Sequence, residues 1–253
     1  MPVFLRPQDR GFPPLSFASR EGLLAIGGGL SRARLLEAYR NGIFPWYDED
    51  TPVLWWSPPE RCVLRPSEVH IPRSLRRVIN SRRFSITLDT AFAEVIVHCA
   101  RVLRPDQEST WIVPDMVAAY IDLHEAGYAH SVEAWHDGKL AGGLYGVALG
   151  GVFFGESMFF RQPDASKVSF VWQAALLAHW GYTLIDCQQV TENLMRFGAY
   201  PLPRKMFMKE LALALRTETA PGKWVMPEGF FPLRAGDCGE NPPQDQQKRQ
   251  DRR

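Results

Sequence analysis

Only four of the 253 residues are cysteine, at positions 62, 99, 187 and 238, and none stand in a C-x-x-C pair. None combine with the six histidines at metal-ligand spacing. This excludes a disulfide scaffold and a zinc ribbon, and fits reduced thiols in a cytosolic protein. The start, MPVFLRPQDRGFPPLS, lacks a basic segment followed by an apolar one, so it does not read as a secretory signal. No window approaches ~18 consecutive apolar residues, so no membrane span is expected. There is little excess charge: 29 basic against 28 acidic residues leave a net +1. Attraction to nucleic acid or to a membrane surface would need a local patch. The histidines (His70, His98, His124, His130, His136, His179) never form H-E-x-x-H and read as structural or surface residues. Gly27-Gly28-Gly29 lacks the Lys-Ser/Thr that follows a phosphate-binding loop.

What is present is an ordinary globular composition, 45% hydrophobic, long enough for one large domain or two modest ones. Residues 1–20 carry four prolines and read as an extended surface arm. Ser31 is placed to cap a helix over 32–41, with Gly42 as its stop. Asp89 is placed to cap a helix over 90–103. Pro114 opens a further helix that ends at Gly127. Residues 131–135 alternate as a strand, Asp137-Gly138 signals a hairpin, and 139–149 return. Gly142, Gly143 and Gly146 inside that strand imply close backbone approach or a bulge. Helices over 165–180, 192–197 and 205–215 surround a short buried strand at 183–188. These patterns predict an α+β protein with a mixed, mainly antiparallel sheet. The expected division is a small N-terminal domain over 1–65, a larger domain over 66–235, and a polar, disordered tail over 236–253.

Two carboxylates stand out. Glu156 sits inside GGVFFGESMFF (150–160), an otherwise apolar strand. Burying an unpaired charge costs several kcal/mol or more, so Glu156 must meet a cation, or face a cavity that receives a cation or a hydrogen-bond donor. Asp186 lies in the strand TLIDCQ (183–188). With period two, Asp186 and Gln188 share a face and Cys187 points the other way. Asp186 then either caps the next helix or pairs with an arginine, or it bonds the Gln188 amide and polarises its carbonyl. Trp46, Trp55, Trp56 and Trp111 stand in Pro-rich or turn-like contexts, where they either pack loops or stack on planar groups. Arg73, Arg76, Arg77, Arg82 and Arg83 form a run that is either a solvated face or a phosphate-contacting surface.

Taken together the chain resembles the leucyl/phenylalanyl-tRNA–protein transferases. The likeness rests on GLLAIGGGLSRARLLEAYRNGIFPW (22–46), LWWSPPER (54–61), TWI (110–112), AYIDLHEAGYAHSVEAW (119–135), GGLYGV (142–147), FFGESMF (153–159), ASK (165–167) and LIDCQ (184–188). It implies a bacterial cytoplasmic enzyme that moves leucine or phenylalanine from aminoacyl-tRNA to the α-amine of proteins beginning with Arg or Lys. The product would enter the N-end-rule degradation route. It implies a small N-terminal domain, a C-terminal domain resembling the GNAT acetyltransferases, and no metal or nucleotide cofactor. The expected partners are the 3′ end of the aminoacyl-tRNA and the acceptor protein, with no membrane and a monomeric enzyme. The chain has no R-x-x-G-x-G/A turn of the kind that cradles coenzyme A, which fits a donor other than acetyl-CoA.

By the same resemblance Trp46 and Trp111 hold the terminal adenosine. Leu144, Phe153, Gly155, Met158 and Ile185 surround the donor side chain, and Glu156 lines that pocket beside the reacting centre. Asp186 and Gln188 are the catalytic pair, Asp186 orienting and polarising Gln188, and Gln188 helping to deprotonate the attacking amine or, since an amide oxygen is a poor base, chiefly positioning it. Tyr39 and Tyr120 lie near the donor or acceptor end. The chain departs from the family pattern at Phe160, where Ser is usual, and a ring there is expected to reshape the donor pocket. It also departs at Asp164, Thr191 and Asn193. The rival readings are another acyltransferase of the same fold and a non-catalytic RNA-binding module.

Overall fold

The computed structural model describes residues 2–102 and 112–233. Trp111, Cys238, the expected helix end at Leu103 and the tail over 236–253 lie outside the described residues. In chain order the elements are β1 (Val3–Leu5), β2 (Leu23–Gly27), α1 (Arg32–Arg40), β3 (Phe44–Pro45), β4 (Leu54–Trp56), β5 (Glu60–Leu64), α2 (Arg73–Asn80) and β6 (Ser85–Leu88). They continue with α3 (Phe92–Ala100), α4 (Pro114–Glu125), β7 (Ala129–His136), β8 (Lys139–Leu149), β9 (Val152–Phe160) and α5 (Ala165–His179). The last are β10 (Leu184–Gln188), α6 (Glu192–Arg196), β11 (Tyr200–Pro203) and α7 (Arg204–Ala214).

Two mixed sheets result. The first has the order β1-β2-β4-β3, and the second the order β11-β5-β10-β9-β8-β7-β6. The proline-rich start is thus not only a surface arm, because Val3–Leu5 pairs in parallel with Ala25–Gly27. β5 belongs to the larger sheet, between β11 and β10. Within that sheet the β9–β10 pair alone is parallel among the described residues, and α5 makes the connection.

Helices cover the larger sheet on both faces, which explains why β8 is buried from Leu140 to Leu149. Phe92, Val95, Met116, Tyr120 and Leu123 of α3 and α4 share one core cluster with the N-terminal sheet. Leu75, Ile79, Val168, Phe170 and Leu177 of α2 and α5 form the other. Crowding decides Gly146: a Cβ there would stand 2.1 Å from the Phe154 carbonyl oxygen, and the β8–β9 register shifts at this point. Among the described residues, no helix is long and apolar enough to cross a membrane.

Local signals acted mostly as expected. Ser31 accepts a hydrogen bond from the Arg34 N–H, and Gly42 takes a φ of 67° beyond the end of α1. Asp89 does not cap a helix. Its carboxylate instead accepts from the Ser131 N–H (2.9 Å) and the Trp224 N–H (2.7 Å), and it meets His130 Nδ1 at 2.8 Å. The His130 ring stacks on Trp224, centroids 4.1 Å apart. These contacts tie the segment after α7 to the sheet.

Candidate active site

The parallel pairing of β9 with β10 is short. It runs from Val152 opposite Leu184 to Phe154 opposite Asp186. Beyond it, Gly155–Met158 and Cys187–Gln189 both line a cavity of about 380 Å³. A parallel pair that parts before its strands end leaves room between them, where side chains can face a ligand. Leu144 of β8, Phe170 and Gln173 of α5 and Leu194 of α6 continue the wall. Phe44, Pro45 and Trp46 reach it from the smaller sheet. The lining is mainly apolar with a few convergent polar groups, the usual composition of a small-molecule site.

Most of the residues expected at a site meet here. Trp46, Leu144, Phe153, Gly155, Glu156, Met158, Ile185 and Gln188 all line the cavity. Tyr39 and Tyr120 do not. They stand fully buried behind Glu156, on α1 and α4. Trp55 is also fully buried and donates its Nε1–H to the Gly27 carbonyl, so it packs the smaller sheet. Phe160 is 64% exposed and absent from the cavity wall, which removes the expected effect of its ring on a donor pocket. The arginines at 73, 76, 77, 82 and 83 also stand outside the wall. Thr191 caps α6 through its side chain, and Thr191 and Asn193 both line the cavity.

The expected face-sharing of Asp186 and Gln188 fails for a physical reason. The β10–β5 register places Asp186 opposite Val63 but Gln188 opposite Cys62, so Cys187 is an extra residue in a bulge. Gln188 has a φ of 60°, a left-handed conformation that is costly for a side chain larger than glycine's. The bulge turns Gln188 into the cavity beside Ile185 and Cys187, while Asp186 stays behind the strand. Asp186 therefore does not bond the Gln188 side-chain amide. Its Oδ1 accepts from the Gln188 backbone N–H at 2.9 Å.

Asp186 takes the arginine-pairing alternative, and its partner is Arg61, which the sequence did not single out although it ends LWWSPPER. Arg61 donates Nε to Oδ1 at 2.8 Å and Nη2 to Oδ2 at 2.6 Å, and neither side chain is more than 1% exposed. Its Nη1 donates to the Gly42 carbonyl at 2.9 Å. Its guanidinium lies 4.6 Å from the Phe44 ring centroid and 4.7 Å from that of Phe207. The forked geometry matches the carboxylate, and the rings cover the rest of the cation. The signal available in sequence was a charged residue inside the strand RCVL.

Glu156 meets no cation at bonding distance among the described residues. Tyr39 donates to its Oε1 at 2.8 Å, Tyr120 to its Oε2 at 2.9 Å, and the Gln188 Nε2 to Oε1 at 2.8 Å. The two phenol oxygens also contact each other. Burial pushes the Glu156 carboxyl up to about 7. The two phenol bonds pull it back, nearby Asp186 pushes it further up, and Arg61 lowers it. Burial and the adjacent Glu156 hold both phenols well above the ordinary tyrosine value. A carboxyl that titrates near neutrality in the wall of an apolar cavity is a common property of catalytic groups.

Comparison with known proteins gives this site a family. Residues 63–212 match the sequence profile of the leucyl/phenylalanyl-tRNA protein transferases, and residues 28–59 match the profile of that family's N-terminal domain. The chain is 61% identical over 239 residues to the leucyl/phenylalanyl-tRNA–protein transferase of Oleidesulfovibrio alaskensis, covering 92% of this chain and 96% of that one. It is 54% identical over 233 residues to that of Nitratidesulfovibrio vulgaris, covering 92% of this chain and all 100% of that one. It is 52% identical over 227 residues to that of Myxococcus xanthus, covering 89% and 97%. A profile that spans most of the larger sheet and relatives matched almost end to end make the chain a member of the leucyl/phenylalanyl-tRNA–protein transferase family.

Proposed function

We propose that the protein transfers leucine or phenylalanine from aminoacyl-tRNA to the N-terminal α-amine of proteins beginning with Arg or Lys, marking them for N-end-rule degradation. The observation that carries this reading is the cavity between β9 and β10, apolar in most of its wall and bearing Glu156 and Gln188 on one side. Its volume, about 380 Å³, suits a leucine or phenylalanine side chain with part of its ester. Leu144, Phe153, Met158 and Ile185 take the side chain, beside Gly155. Trp46, half-buried at the wall, stacks on the terminal adenine.

Gln188 positions the attacking amine. Its Nε2 is committed to Glu156, which leaves Oε1 as the atom that can accept from the incoming nitrogen. Asp186 is a positioning residue in this scheme: with Arg61 behind it, it fixes the Gln188 backbone in the bulge. Holding amine and ester in register supplies much of the rate when the chemistry is an aminolysis. A seven-stranded sheet, antiparallel except at β9–β10, supports the GNAT-like assignment of the larger domain. The enzyme acts as a cytoplasmic monomer.

The test is transfer of labelled leucine and phenylalanine, separately, from charged tRNA to peptides beginning with Arg, Lys or Ala, with acetyl-CoA as a control donor. Transfer to the Arg and Lys peptides alone is expected. Acetylation without aminoacyl transfer would end the proposal. Gln188→Ala should bind charged tRNA as before and transfer roughly 10²-fold more slowly; a variant that loses binding instead would make this wall a tRNA contact.

A further inference from the structure

Four contacts converge on one carboxyl and its neighbours: Tyr39 with Oε1, Tyr120 with Oε2, Gln188 with Oε1, and Tyr39 with Tyr120. Each contact needs one hydrogen. The phenols bring one each and the amide brings one, so an ionised Glu156 leaves one contact without a hydrogen. Both phenols are held well above their ordinary range, so both keep their hydrogens. A proton on Glu156 supplies the missing hydrogen. The carboxyl then donates to one phenol, that phenol to the other, and the second phenol back to the opposite carboxyl oxygen. The circuit closes in either sense.

We infer that Glu156, seated on the Tyr39–Tyr120 pair, is the general base of the transfer reaction, and that the closed ring is the state in which it has taken up the acceptor's proton. Before uptake both phenols donate into the carboxylate, and their oxygens face each other with no hydrogen between them. Protonation of Glu156 closes the ring, so the proton is taken up without breaking a contact, while the two phenol bonds on their own still hold the carboxyl's pKa down. This deepens the proposed transfer and rests on it.

The proton balance is complete. An α-amine with a pKa near ~8 arrives mostly as the ammonium at neutral pH. One ammonium N–H bond breaks, and its proton passes to a Glu156 oxygen. The nitrogen lone pair forms the C–N bond at the ester carbonyl carbon. The C–O bond to the ribose breaks, and the ribose oxygen takes a second nitrogen proton. One proton per turnover remains on Glu156 and leaves to solvent as the cavity empties. Gln188 sits where it can hold the amine against the carboxyl, its Nε2 being 2.8 Å from Oε1. That separation places the nitrogen within direct or one-water reach of Glu156. The other titratable or charged groups around Glu156 are Tyr145 on β8, Asp186 and Cys187 on β10, and Arg61 on β5. Arg61 is already matched to Asp186, and the contact with Cys62, followed by burial, holds Cys187 as a thiol. Glu156 is poised to titrate near neutrality.

The experiment is the pH profile of kcat/KM with two Arg-initial peptides whose α-amines differ in pKa. The wild type should show a rising limb at about 7 that does not move with the peptide, besides a limb that does. Glu156→Gln should lose the fixed limb and slow by roughly 10²- to 10⁴-fold, the usual contribution of a general base. Tyr39→Phe and Tyr120→Phe each remove a hydroxyl that lowers the carboxyl's pKa, so the fixed limb should move to higher pH. A fixed limb retained in Glu156→Gln, or unmoved in both Phe variants, overturns the inference. The Phe variants decide the matter alone if Glu156→Gln does not fold. A wild type that transfers nothing at any pH overturns the underlying reading as well, whereas failure of the limb alone leaves that reading standing.

Discussion

Asp186 and Glu156 are both buried carboxylates, on neighbouring strands, and they are buried in opposite ways. Asp186 has a guanidinium with a bidentate grip and a backbone N–H, so its negative charge is matched inside the protein. Glu156 has three neutral donors and an open cavity, so its charge is tolerated but not matched. The first arrangement fixes geometry. The second leaves a group whose proton is easily gained and lost, which a proton-transfer step requires. Gln188 joins the two, its backbone held by one carboxylate and its side chain by the other.

The contrast breaks hardest at Arg61. Arg61→Ala strands Asp186 without a counter-ion in the core and should cost about 3–5 kcal/mol in urea unfolding. The double variant Arg61→Met, Asp186→Leu should recover most of that loss. A single variant within 1 kcal/mol of wild type would mean the pair is not a buried charge match.

Glu156→Gln should behave the other way. In the unfolded chain the carboxyl loses its proton near its ordinary 4.5, and in the folded protein not until about 7. Between those values the folded state binds the proton more tightly, so stability falls as pH rises through this window. Above it the buried charge costs on the order of 3 kcal/mol. The neutral variant should therefore be more stable than wild type at pH 8 and nearly equal to it at pH 4. Equal pH slopes for variant and wild type would show that Glu156 is ionised as readily as in water.

The smallest expected effect lies at the residue between them. Gln188→Gly removes the side chain from a left-handed backbone position, which relieves roughly 1 kcal/mol of strain. It also deletes the bond to Glu156. The protein should hold its stability to within about 1 kcal/mol while losing transfer. A large loss of stability would show that the amide's bond to Glu156 outweighs the strain.

What could be read in the sequence follows the range of the interactions involved. Ser31, Pro114 and Asp137-Gly138 act on their own neighbours, and the elements they punctuate stand where the periodicities put them. Glu156 and Gln188 could be found because a polar group in an apolar strand is a local anomaly. That Arg61 is the arginine that meets Asp186, and that Tyr39 and Tyr120 meet Glu156, could not be read. Arg61 is 125 residues from Asp186, and Tyr39 is 117 from Glu156. The bulge at Cys187 inverts an alternation that five residues of strand gave no reason to doubt. Phe160 and Asp89 failed similarly: one faces outward at the end of β9, and the other answers to a tryptophan N–H 135 residues away.

The cavity draws its walls from both sides of Pro59. Phe44, Pro45 and Trp46 come from before it, while Glu156 and Gln188 come from after it, and the Tyr39 phenol behind Glu156 also comes from before it. The machinery is therefore not portable as one module. Grafted elsewhere without its first 46 residues, the larger sheet would carry its acid and its bulge intact. Its guanidinium, however, would find no Gly42 carbonyl, and Glu156 would keep only the Tyr120 half of its ring.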